Sequence, residues 1–159
     1  MAKFQMKETI PATAKTARLG AGSGASNYLT DKEIGKAVKL IAESRFGLCA
    51  VGDQIEGFIG AIETATMDDF TIGSVFNEHS FRKEVTFDGL QATPGTGVIA
   101  IGDRVVAGTV VAKDTALTGP VKVCKATTQT GMDYVWRVVS LGSAGTGAVG
   151  TTGVIERVS

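Results

Sequence analysis

The feature that most constrains this chain is a motif that occurs twice. Residues 48–64 read LCAVGDQIEGFIGAIET, and residues 99–113 read IAIGDRVVAGTVVAK. In each, an apolar run ends in Gly-Asp (Gly52-Asp53 and Gly102-Asp103). A polar residue (Gln54 or Arg104) and a β-branched one (Ile55 or Val105) follow, then a glycine and a second apolar run. Glycine tolerates the positive φ of a tight corner, and an Asp carboxylate just after it can accept backbone N–H bonds. Two such corners predict strands turned sharply inside one small β-barrel or sandwich. They carry no catalytic chemistry.

The length of 159 residues fits one domain able to bury a core without metal or disulfide support. Twenty-one glycines against three prolines suit an all-β chain with many turns. No apolar run approaches the roughly 20 residues of a membrane-spanning helix. The opening MAKFQMKETIPATAK lacks the apolar core of a signal peptide, so a cytoplasmic origin is expected. Sixteen basic side chains balance sixteen acidic ones. A sequence-independent nucleic-acid binder would carry a basic excess, so neither nucleic acid nor membrane is an expected partner. Cys49 and Cys124 sit within apolar runs and read as buried free thiols. With one histidine in the chain, no metal site is expected.

Residues 1–29 read as an extended arm with a net charge of +3 and a flexible GAGSGAS segment at 20–26. An α-helix is expected at about 31–44. Thr30 and Glu33 have capping-box spacing, and Ile34, Ala37, Val38 and Ile41 fall at helical intervals. Residues 30–159, with this helix at their start, form the expected β domain. Strands are expected at 48–51, 54–64, 70–76, 81–87, 98–101, 104–111, 121–126, 134–141 and 154–158. Phe70, Ile72 and Phe76 should share one face of their strand, and Phe81, Val85 and Phe87 one face of the next. Lys83 interrupts the latter pattern, as at a sheet edge. YVWRVVSL at 134–141 is apolar on both faces and reads as a central strand. The low-complexity stretch at 142–153 reads as a flexible tip or a loop held by a partner. Turns about every ten residues favour a mainly β fold, an antiparallel β-barrel or sandwich with one short helix.

Candidate chemistry is sparse. His79 lies between Glu78 and Ser80, but neighbours along a strand point apart, so a surface histidine is the better reading than a triad. Nucleophile-elbow, phosphate-loop and zinc patterns are missing from the sequence. Asp68 and Asp69, with Glu63 nearby, lack the regular spacing of oxygen ligands and read as an exposed acidic turn. Gly-Asp corners also occur in biotinyl and lipoyl carrier domains. Lys83 in Arg-Lys-Glu and Lys113 in Ala-Lys-Asp do not resemble the modified lysine of those domains.

Residues 36–87, with the helical reading running into ESRFGLCAVGDQIEGFI, the later VIAIGDRVVAGTVV and the terminal VIERV, resemble the capsid cement (head decoration) proteins of tailed bacteriophages. The likeness covers about two-thirds of the chain. It implies a β-rich, non-enzymatic virion protein without cofactors, assembled in the host cytoplasm. It further implies binding to the outer surface of the major capsid protein shell as a homodimer or homotrimer. Beside it, the arm supplies expected contact residues for the capsid or for other copies. Lys3, Lys7, Lys15 and Arg18 would meet acidic patches, and Phe4, Ile10, Leu19 and Tyr28 would dock as apolar points. Deleting residues 1–26 should then weaken capsid binding and leave the β domain folded. The alternative reading is a small-ligand-binding β-barrel module or accessory domain with a pocket near His79 or the acidic turn.

Overall fold

A computed structural model describes residues 14–21, 25–63, 71–130 and 135–158. Lys3, Phe4, Lys7 and Ile10, the acidic turn at Asp68-Asp69, and Tyr134 lie outside the described residues. The fold is mainly β. Five strands close into a barrel: β1 (Lys15–Leu19), β2 (Ala37–Ala42), β3 (Arg45–Leu48), β4 (Gly57–Glu63) and β5 (Thr71–Phe76), in the order β1-β3-β2-β4-β5. β6 (Arg82–Leu90), β8 (Val105–Ala107), β9 (Lys122–Lys125), β10 (Trp136–Ser140) and β11 (Thr152–Arg157) form a second sheet, ordered β10-β11-β6-β9-β8. The two-residue β7 (Thr93–Pro94) pairs with β6. Most pairings are antiparallel, but β1 with β3 and β6 with β9 are parallel.

The second sheet curls until its ends meet. Arg104, just before β8, bridges Arg137 of β10. The second Gly-Asp corner reinforces this closure: Gly102 N–H donates to the Val138 carbonyl at 2.8 Å, and Val138 N–H donates to the Asp103 carbonyl at 2.9 Å. The first corner repeats the arrangement one layer away. Gly52 N–H donates to the Ala107 carbonyl at 2.8 Å, and Ala107 N–H to the Asp53 carbonyl at 2.9 Å. Both glycines have positive φ, 83° and 88°. Both Asp carboxylates accept from the backbone three residues earlier, Ala50 N–H at 2.6 Å and Ala100 N–H at 2.8 Å. A lysine from an adjacent strand caps each one, Lys39 on Asp53 at 2.6 Å and Lys125 on Asp103 at 3.0 Å. The repeat is therefore one device used twice. It ties the barrel to β8, and β8 to β10.

The helix expected at about 31–44 does not form. Asp31–Glu33 makes a single 3-10 turn and Ala37–Ala42 is strand β2. Gly35 takes φ 85°, which stops the turn from propagating. The run after it is too short for periodicity to separate helix from strand, and pairing with both β3 and β4 decides it. Of the expected helical stripe, Ala37 and Val38 are buried, whereas Ile34 and Ile41 are exposed. The arm boundary moves as well, since β1 is a barrel strand bonded to β3 on one side and β5 on the other.

Burial phases also differ in places. In β5, Thr71, Gly73 and Val75 face inward, and Ile72 and Phe76 do not. The interior of the barrel is tight: a Cβ on Gly73 would lie 2.6 Å from the Leu19 side chain and 2.3 Å from the Ala61 carbonyl oxygen. Phe76 instead stacks on Phe81, centroids 5.1 Å apart, in the layer between barrel and sheet. Phe81, Val85 and Phe87 are buried together, as expected. Their strand β6 is central, between β11 and β9, and not an edge. Lys83 is accommodated there with its ammonium 5.8 Å from the Phe58 ring centroid. Conversely, β10 ends the second sheet.

Two cores result. Leu19, Val38, Phe46, Ile59 and Val75 fill the barrel. The larger core spans both layers and centres on Trp136, fully buried, edge-on to Phe58 at 5.0 Å and to Phe81 at 6.2 Å. Its indole N–H donates to the Ile55 carbonyl at 3.0 Å, just beyond the first corner.

Candidate functional site

Three regions stand out: the outer face of β1, a pair of uncharged segments beside the second corner, and a cavity between the two layers.

On β1, Lys15, Thr16 and Arg18 are exposed while Ala17 and Leu19 point inward. Register sets Arg18 beside Arg45 on the parallel neighbour, which concentrates positive charge on this side of the barrel. Leu19 is fully buried in the barrel core, so it is a packing residue and not a contact for a partner. Tyr28 is half-buried next to the buried Leu29, whose N–H donates to the Thr71 hydroxyl at 2.9 Å.

The second region joins residues 92–102 to residues 142–152. Val98 bridges Ala148, and Ile99 N–H donates to the Gly147 carbonyl at 3.0 Å. Ile99 is buried, while Val98 is 63%, Ile101 65% and Val149 40% exposed. Neither segment contains a charged residue, in a chain that is 20% charged. Ile101 is exposed at the tip of the Gly-Asp corner, as are Ala100 and Gly102 on either side of it. The sequence carries the signal for this surface in two long uncharged runs, but only the pairing shows that they lie side by side.

The third region is roofed by the strap at residues 109–121, which leaves β8 and crosses the barrel before entering β9. Thr109 anchors one end, its N–H and hydroxyl both donating to the buried Asp88 carboxylate at 2.7 and 2.6 Å. Glu33 and Lys36 anchor the middle. Glu33 Oε1 accepts Asp114 N–H at 2.6 Å and Lys36 Nζ at 3.3 Å. Lys36 Nζ also donates to the Ala112 carbonyl at 2.9 Å. Glu33 Oε2 accepts from the N–H and hydroxyl of Thr30 at 2.7 and 3.0 Å. The Thr30–Glu33 spacing thus reports a real contact, made on a 3-10 turn and used to hold a distant strap. Burial opposes ionisation of Glu33, but the backbone donors of Thr30 and Asp114, with the Thr30 hydroxyl and Lys36, outweigh it. The carboxyl titrates below its ordinary value of 4.5. Beneath the strap lies a cavity of about 170 Å³.

Cys49 lines that cavity, and Cys124 lies behind Asp88 with its thiol 3.5 Å from the Asp88 carbonyl. Both are buried free thiols. Burial, reinforced by Asp53, pushes Cys49 up to about 12; burial and Asp88 push Cys124 to about 11. Neither is a thiolate nucleophile at neutral pH. His79 sits in an exposed turn with Nδ1 2.8 Å from Ser80 Oγ. Among the described residues no group of three His, Cys, Asp or Glu is placed to hold a metal ion, and no helix is long and apolar enough to cross a membrane.

The class these observations define is a closed five-stranded barrel stapled to a curled second sheet by one Gly-Asp corner, with the ends of that sheet tied together by the other. No protein-family model, curated protein or solved structure matches the chain.

Proposed function

We propose that this protein is a structural component of a tailed-phage virion that binds the outer surface of the capsid and stabilises contacts between major capsid protein subunits. The observation that carries the reading is the set of exposed apolar side chains Val98, Ile101 and Val149 on two paired segments that contain no charged residue. Exposed apolar side chains grouped on one side of the molecule favour burial against another protein. The sequence likeness to head decoration proteins supplies the class of partner. Its segments fall on the barrel, both corners and β11, the elements that hold this surface in place. Copies joined as a homodimer or homotrimer multiply weak contacts with a repeating lattice into avid binding. The basic outer face of β1, with Lys15 and Arg18, adds a second contact for acidic shell surface.

Co-sedimentation with purified heads tests the proposal. The double variant V98D/I101D should lose head binding at least tenfold while its circular dichroism melt stays near that of the parent. Full occupancy by the variant would remove this surface from the account. Failure of the parent protein to bind any tailed-phage head would remove the function itself.

A further inference from the structure

We propose that the cavity under the 109–121 strap is a binding site for one small, neutral, apolar molecule of benzene to indole size. The site is separate from the surface of Val98, Ile101 and Val149 and does not depend on the capsid reading. Its wall comes from three elements: Ala37 and Leu48 from the barrel, Ala107 from the sheet side, and Val110, Leu117 and Val121 from the strap. Size sets the class of occupant. The pocket is partly open to solvent, and its volume of about 170 Å³ is close to that of an apolar void of about 150 Å³ that takes up benzene.

Charge narrows the class further, because the charged groups at the wall and the hydroxyls of Thr86 and Thr109 are already engaged. Lys36 is held by Glu33 and the Ala112 carbonyl. The Thr109 hydroxyl donates to Asp88, and the Thr86 hydroxyl to the Pro120 carbonyl at 3.3 Å. Lys122 stands 3.8 Å from Asp88. An anionic ligand would have to displace one of these pairings, whereas a neutral apolar one need not. The site is also preformed. The strap is anchored at Thr109, Ala112 and Asp114, and Gly108 N–H bonds the Lys122 carbonyl at 2.9 Å, so the roof does not settle onto the floor. An apolar guest would exchange water against the Ala37, Leu48 and Leu117 side chains for dispersion contacts.

Indole and benzene, titrated into the full-length protein, are the probes. Saturable binding is expected, with a rise in Tm of roughly 2–4 °C at about five times the Kd. Two variants localise it. Ala107→Leu fills the cavity and should abolish the shift. Leu117→Ala, at a half-buried position of the strap, widens the cavity and should weaken benzene at least threefold while admitting naphthalene. The absence of saturable binding to the parent protein overturns the proposal. So does a benzene affinity unchanged by Leu117→Ala, an outcome that can be read even if Ala107→Leu fails to fold. Occupation by a partner's side chain instead would appear as heads protecting the cavity while free indole does not bind, and would also overturn it.

Discussion

Glu33 shows how one side chain can organise distant chain. It is fully buried, yet its two oxygens accept from Thr30, Lys36 and Asp114, so the ion pair with Lys36 is accompanied by the further hydrogen bonds that a buried charge needs. Because its folded pKa lies below 4.5, its contribution is whole above that value and is lost as pH falls through the lowered one. The parent protein should therefore lose Tm steeply in acid. Glu33→Gln should start lower at neutral pH and show a shallower acid limb in melts from pH 3 to 7. The corner glycines permit a cleaner test. A Cβ at Gly102 meets nothing within 4 Å, so Gly102→Ala isolates the cost of positive φ. That cost should be about 1–2 kcal/mol by urea denaturation, with the m-value unchanged.

Strand β1 is the element on which the interpretation of the N-terminus turns. It supplies Ala17 and Leu19 to the barrel core and covers edges of both β3 and β5. A deletion of residues 1–26 therefore removes a barrel strand and cannot leave the β domain intact, contrary to the sequence expectation. It should abolish cooperative melting, whereas deletion of residues 1–13 keeps β1 whole. Only the shorter deletion can report on the arm in head-binding assays, and reduced occupancy is its expected result. The element was missed because KTARL is short, polar on one face and followed by a glycine-rich segment. Its strand character comes from neighbours brought in from residues 45–48 and 71–76, not from its own propensity.

At the scale of the whole molecule the barrel and sheet share one core, which predicts a single unfolding transition rather than two. Trp136 is the residue to probe. Trp136→Ala should cost about 3–5 kcal/mol, through the lost ring contacts and the unpaired Ile55 carbonyl. For a chain of this size each kcal/mol corresponds to roughly 2–4 °C in Tm. Calorimetry should show one peak displaced to lower temperature, and two resolved peaks would mean that the layers fold separately.

Local chemistry in the sequence was enough to place the two Gly-Asp corners, the buried thiols, the face shared by Phe81, Val85 and Phe87, and the mainly β class. Each follows from a backbone preference or an alternation that neighbours in sequence carry by themselves. The Thr30–Glu33 contact was visible for the same reason, although the helix assigned to it was not formed. The tertiary structure alone decided that residues 37–42 are a strand, that β1 closes the barrel, and that β6 is central. It also set two uncharged runs side by side and roofed a cavity with a strap tied to Glu33. Apart from β2, whose partners lie 3 to 21 residues away, those outcomes depend on contacts across 27 to 81 residues, where a strand's state is set by the edges and core it meets. Long-range register leaves little trace in a single sequence, and every candidate site in this protein is built from it.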